Sequence, residues 1–190
     1  IIESSGRSID RNNDGEISMG EAEAYSGGIT ASAEGITSFS GLEYFKNVIS
    51  IYILPSSGQN TLADGKKKIS LTGLSALTTL TISTSTLEEV ELKNLPVLKT
   101  VRLVNNNINK VSFDNTPLVE DLSLERNNLT AIDNNIFGVL TKLTKLNLLG
   151  NRITGSINLT PLITDLSSVA GNFQIMRTCR ECTKSNNPDE

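Results

Sequence analysis

The sequence has no histidine and no tryptophan, only 2 cysteines, and 4% aromatic residues in 190. Without histidine the commonest general base near neutral pH is missing. No serine, aspartate or glutamate stands at a recognisable spacing from another base, and no phosphate loop occurs, so enzymatic chemistry is not expected. The cysteines form a single C-x-x-C, Cys179 and Cys182. A zinc site would need two more ligands, which a chain with no histidine and no other cysteine cannot supply, and a redox motif would need a thioredoxin-like strand and helix around it. The pair therefore reads as structural thiols, or as a small capping disulfide in an oxidising compartment. No apolar run approaches the roughly 18 residues that a membrane helix requires. The net charge of −4 gives no electrostatic case for nucleic acid. The one basic run, Lys66 to Lys68, reads as a solvated loop tip. The chain opens at Ile1 with neither methionine nor a basic-then-apolar leader, as a processed, exported chain or one given without its leader would.

What is present is a repeat. Leu77, Leu80, Ile82, Ser85 and Leu87 share a spacing with Leu98, Val101, Leu103, Asn106 and Ile108, with Val119, Leu122, Leu124, Asn127 and Leu129, and with Leu143, Leu146, Leu148, Asn151 and Ile153. The pattern is L-x-x-L-x-L-x-x-N-x-L, the leucine-rich-repeat signature. Its fourth and sixth positions alternate as a strand does and point into a shared core, while the residues between them face outward. The asparagine turns the chain off the strand, and its amide can satisfy backbone groups that the bend leaves unpaired in its own and the neighbouring coil. Stacked Asn106, Asn127 and Asn151 should form a ladder. Ser85 can do part of that work; Gly171, in a poorer last unit from Ile163 to Phe173, cannot.

The first coils are irregular. Ile29 and Ala31, with Ile36 and Phe39, fit an atypical unit that closes the end of the core, as solenoids require. The next unit begins at Val48 with Ile51 and Ile53 inward, and runs 29 residues to Leu77 where its successor runs 21 to Leu98, so the stretch after Leu54 should bulge out as a loop. Beyond it, Ile69, Val90, Val111 and Ile132 recur every 21 residues, followed by Leu71, Leu92 and Phe113. Pro96, Pro117 and Pro161 come just before the next strand. Linkers this short with a proline in them cannot form a helix, so the outer face should be extended segments and turns; only Asn134 to Leu140 has room for a helical turn. The fold class expected is a mostly β solenoid: a curved array with a parallel sheet on the concave face and turns or short helical turns on the convex face.

Near the start, Asp10, Asn12, Asp14, Gly15 and Glu21 fill every fixed position of D-x-[DN]-x-[DN]-G-x5-E. A hard cation wants six to eight oxygens. Asp10, Asn12 and Asp14 offer side-chain oxygens, Glu16 its carbonyl, Ser18 a hydroxyl or bridged water, and Glu21 two oxygens. Gly15 permits the sharp turn. Ile17 should anchor the loop to the core, and Glu21 should open a helix to Tyr25. The segment before the loop holds Gly6 and three serines, so the usual preceding helix is short. A lone loop of this kind implies a structural Ca2+ with a dissociation constant of roughly 10⁻⁵ to 10⁻³ M, suited to an extracellular setting.

Residues 26 to about 176 resemble a leucine-rich-repeat domain of the short bacterial type, similar to internalins and to surface repeat proteins of gut Bacteroidetes. The acidic loop leading into Gly35 to Phe45 resembles the opening of the Bacteroidetes group in particular. The resemblance implies an exported or outer-surface protein that recognises another protein or a glycan. The expected organisation is an EF-hand-like calcium-binding cap at 1–25, a repeat domain of a cap repeat and about six units at 26–176, and a polar tail at 177–190. Positions three, five and seven of each unit would line the exposed sheet, through Thr79, Thr81, Thr100, Arg102, Asp121, Ser123, Glu125, Lys145 and Asn147, then Asp165, Ser167 and Val169. Charges cluster at Arg102, Asp121, Glu125 and Lys145. Such a face suits a protein; a glycan site usually wants stacking aromatics, and Tyr52 is the only one in these columns. The competing expectation is a calcium-capped spacer of a larger surface protein with no ligand of its own.

Overall fold

The computed structural model describes residues 9–33, 36, 39–55, 67–84, 86–133, 135–154 and 156–159, and the backbone of 174–176. The cysteine pair and the tail, the inserted stretch at 56–66 with Lys66, Gly35, Thr37, Ser38, Ser85, and the unit from Ile163 to Phe173 lie outside the described residues.

The alternation of buried and outward residues in each unit produces a strand, and each unit stacks its strand on the last. The concave sheet runs β1 (Gly28–Ser32), β2 (Ser50–Leu54), β4 (Thr79–Ile82), β6 (Thr100–Arg102), β8 (Asp121–Ser123), β9 (Lys145–Asn147) and β10 (Gln174–Met176), all parallel. Register follows the repeat: Ile29 pairs with Ile51, Ile51 with Leu80, Leu80 with Val101, Val101 with Leu122, and Leu122 with Leu146. All six are at most 2% exposed. Burying a leucine or isoleucine stabilises by about 1.5–3 kcal/mol, so this column alone is a large part of the fold's driving force. The spacing placed a strand near Asp165, outside the described residues; the segment that pairs with β9 is Gln174–Met176.

The extended segments of the outer face do more than connect. β3 (Lys68–Thr72), β5 (Glu89–Lys93) and β7 (Lys110–Asp114) pair in parallel as a second, three-stranded sheet, with Ile69, Val90 and Val111 in register and Leu71, Leu92 and Phe113 beside them. Residues on and just before these strands form surface ion pairs such as Lys67–Glu88 at 2.6 Å and Lys93–Glu91 at 2.7 Å. Ile132, the next residue of the column, is half-buried outside any strand, and the chain instead makes a four-residue helix α2 (Ile136–Val139) against β7.

The asparagine ladder is built as its chemistry requires. Asn106 donates to the carbonyls of Ile82 at 2.9 Å and Val104 at 3.2 Å and accepts from the Thr84 amide and hydroxyl at 2.9 and 2.8 Å. Asn127 donates to Leu103, Leu124 and Glu125 at 2.6, 2.9 and 3.2 Å and accepts from the Ile108 amide at 3.0 Å. Asn151 donates to Leu124 and Leu148 and accepts from Leu129. Each amide thus bonds its own turn and the coil before it. Tighter turns need left-handed backbone: Gly73, Asn94 and Asn115 form one such column, and Asn105, Arg126 and Gly150 another. Glycine and asparagine tolerate that region; arginine does not.

At the first coil, α1 spans Met19–Ala24 and begins two residues before Glu21. Ser18 is its N-cap, and with Glu21 it closes a capping box, so the helix starts where its free N–H groups find acceptors. Tyr25 is 5% exposed, donates to the Gly28 carbonyl at 2.7 Å and meets Phe45 edge-on, joining this segment to the coil. Ile17 does not anchor the loop: it is 41% exposed, and Ile9, at 5%, fills that place.

Candidate functional site

On β8, Leu122 and Leu124 point into the core, which turns Asp121, Ser123 and Glu125 to the concave face. Register sets their neighbours. Thr79, Thr100, Asp121 and Lys145 form one row across the sheet, and Thr81, Arg102, Ser123 and Asn147 the next. Serine is the small member at the centre of long residues, and the space above it is a cavity of about 380 Å³ lined by Arg102, Val104, Asp121, Ser123, Glu125, Lys145, Leu146 and Asn147. Six of the nine expected face residues meet there. Thr79, Thr81 and Thr100 continue the rows but do not line it.

The charges in this cavity are nearly all satisfied internally. Arg102 Nη2 donates to Asp121 Oδ2 at 3.1 Å. Asn147 Nδ2 donates to Glu125 Oε2 at 2.9 Å, its own Oδ1 accepts from the Leu149 amide, and Arg126 Nε lies 3.6 Å from Glu125 Oε1. Two groups are left. Lys145 is exposed and its ammonium has no ion pair or hydrogen bond among the described residues. Ser123 is only 7% exposed, and its hydroxyl likewise has no partner among them. Arg126 was not foreseen in the site. Its adjacency to Glu125 was visible, but nothing in the spacing marked the left-handed turn that carries it.

The acidic loop is folded on itself. Asp10 accepts from the amides of Gly15 at 2.9 Å and Asp14 at 3.3 Å, Asn12 Oδ1 from Asp14 at 3.0 Å, and Asp14 Oδ1 from Glu16 at 2.8 Å. Asn12 Nδ2 also donates to Asp14 Oδ2 at 2.7 Å. Asn13 and Gly15 take positive φ to allow this. Glu21 closes the loop: one oxygen accepts from the Arg11 and Asn12 amides at 2.7 and 3.3 Å, the other from the Ser18 amide and hydroxyl at 2.9 and 2.8 Å. These bonds, Ser18's first, lower its pKa to about 2. The donor set is wholly oxygen, as a hard cation wants. Among the described residues, however, no three acidic side chains gather at metal-holding spacing. Glu21 answers to two patterns at once, the twelfth place of the loop and the S-x-x-E capping box, and the second was overlooked in the sequence.

A larger cavity of about 600 Å³ lies at the first coil, lined mainly by apolar residues including Ile17, Met19, Ile29, Phe39, Leu42 and Phe45. It brings together no charged side chains.

With this geometry in place, comparison with known proteins adds one match. Residues 96–153 match the leucine rich repeat family model. The matched stretch contains Asn106, Asn127 and Asn151 and every residue lining the cavity over Ser123. Comparison with curated proteins finds no match to the chain. A leucine-rich-repeat array is a protein-interaction architecture, and no helix among the described residues is long and apolar enough to cross a membrane.

Proposed function

We propose that this chain is a non-enzymatic recognition module of an exported bacterial surface protein, binding a protein ligand on its concave face. The observation that carries this is the cavity over Ser123, where a parallel sheet holds Arg102, Asp121, Glu125, Lys145 and Asn147 around a serine hydroxyl that has no partner among the described residues. Side chains fixed by sheet register are already in place for binding and lose little freedom when a partner arrives. A glycan is the less favoured ligand because no aromatic ring lines this cavity.

The acidic loop supports a second part of the reading, a structural calcium ion at the first coil, held by Asp10, Asn12, Asp14, the Glu16 carbonyl and Glu21. Calcium there would supply charge neutralisation and rigidity. Glu21 would then exchange its bonds to the Arg11 and Asn12 amides for the cation. A calcium-dependent cap fits an extracellular or outer-surface location, where the ion is plentiful.

The experiment is selection of ligands from a displayed protein-fragment library in calcium, followed by affinity measurement on a variant with charges reversed at both Arg102 and Asp121. Loss of binding with an unchanged melting temperature is the result expected. Ligands that bind the variant as tightly as the parent place recognition elsewhere and favour a spacer role for this face.

A further inference from the structure

We infer that the cavity over Ser123 receives a carboxylate side chain presented by a protein partner, Lys145 pairing with its charge and Ser123 donating a hydrogen bond to it. This rests on the concave-face reading above and gives it a chemistry. The argument is one of subtraction. Asp121 is taken by Arg102, and Glu125 by Asn147 and Arg126. The charge of each carboxylate is therefore already partly answered within the chain, which weakens its pull on a partner's cation. Lys145, in contrast, faces the cavity with no ion pair or hydrogen bond among the described residues. Counting Arg102, Arg126 and Lys145 against Asp121 and Glu125 leaves one positive charge, and it is Lys145's.

The floor agrees with the wall. Ser123 is 7% exposed as a residue, and its hydroxyl, which has no hydrogen-bond partner among the described residues and is not sealed from solvent, is a donor that an entering acceptor can take in exchange for water. The other outward residues here, Asp121 on β8 and Glu125 just beyond it, are engaged. Asn147 and Arg102 flank Ser123 in the same row, about 4.8 Å away on either side, and are held off the floor by their own bonds. An acceptor entering here meets a donor below and an ammonium at its side. A charge-assisted pair in a half-enclosed site is stronger than the same pair in open water, so this position discriminates carboxylate from amide. Val104 and Leu149 in the adjoining row are half-buried and apolar, and suit the aliphatic stem and flanking residues of a glutamate-bearing peptide.

The test is a titration of the ¹⁵N-labelled chain, followed by amide chemical shifts. The probes are the acetylated, amidated peptide Gly-Ser-Glu-Ser-Gly, its glutamine and lysine counterparts, and galacturonate as an acidic sugar. The glutamate peptide should move the Ser123 and Lys145 signals at millimolar concentration, with the glutamine peptide at least about tenfold weaker. Lys145→Gln should weaken the glutamate peptide by about tenfold and Ser123→Ala by several-fold, both at unchanged melting temperature, while Lys67→Gln on the convex sheet changes nothing. Equal response to glutamate and glutamine, preference for lysine, an inert Lys145→Gln, or no response at tens of millimolar overturns the carboxylate assignment and leaves the concave-face reading to its own test. Tighter binding of galacturonate overturns the protein source. Shifts confined to β3, β5 and β7 overturn both this assignment and the concave-face reading.

Discussion

Replacing Asn127 with alanine should be among the most damaging single changes in the repeat. The side chain is 4% exposed, donates to the carbonyls of Leu103, Leu124 and Glu125, and accepts from the Ile108 amide. Alanine strands the Ile108 N–H and at least the Leu103 carbonyl away from water. At about 1–3 kcal/mol for each buried group left without a partner, the expected loss is about 3–4 kcal/mol. For a chain of this size, roughly 2–4 °C per kcal/mol gives a fall in melting temperature of about 6–16 °C. Asn128 supplies the control next door: its amide meets Asn107 at 3.3 Å on the exposed surface, so Asn128→Ala should stay within about 0.5 kcal/mol. Urea unfolding followed by circular dichroism measures both. If the two variants unfold at the same midpoint, the buried ladder does not hold the turns and the reasoning from unpaired backbone groups is wrong.

Thr116 occupies the place that Leu74 and Leu95 hold in earlier coils, fully buried, with a hydroxyl that has no partner among the described residues; Thr116→Val should raise stability by about 1 kcal/mol in the same urea assay, and a loss would show that the hydroxyl is bonded. Arg126 has φ +53° where Asn105 and Gly150 sit in neighbouring coils, so Arg126→Asn should stabilise by up to about 1 kcal/mol, and destabilisation would mean its contact with Glu125 outweighs the backbone strain. Glu21 ionises at about 2 in the folded chain, below its ordinary 4.5, so its contribution is fully present above pH 4.5 and disappears as pH falls through 2; the gap in melting temperature between parent and Glu21→Gln should close over that window, and a gap independent of pH would refute the assignment. If the loop takes calcium with a dissociation constant near 10 μM, 1 mM calcium against chelator should add about 2.7 kcal/mol and raise the melting temperature by about 5–10 °C, an effect that magnesium does not reproduce; no rise removes calcium from the account.

The parts of this fold that were legible in the sequence are those fixed by local periodicity. Leu80, Val101, Leu122 and Leu146 had to be inward because they alternate with polar residues, and Asn106, Asn127 and Asn151 had to bond two coils because a bend between buried strands leaves amides with nowhere else to go. The second sheet was half legible: the 21-residue column from Ile69 showed which residues were inward, but hydrogen bonding between β3, β5 and β7 depends on how closely coils stack, which spacing does not encode. Ile17 was misplaced for a related reason, since an apolar residue in a loop finds the core only if the turn before it points that way. At the candidate site, the outward columns named the charges, whereas the cavity arises from a size contrast. A serine looks ordinary in a column of polar residues until its neighbours are seen to rise around it with their own bonds made.

Lysine reactivity offers the most direct test of the central claim. With a library-selected ligand bound, amine acylation read by peptide mass spectrometry should slow several-fold at Lys145 and stay unchanged at Lys67 and Lys68, which lie on the convex side. Protection of Lys67 and Lys68 with Lys145 still fully reactive would put the ligand on the opposite face and contradict recognition through the cavity over Ser123.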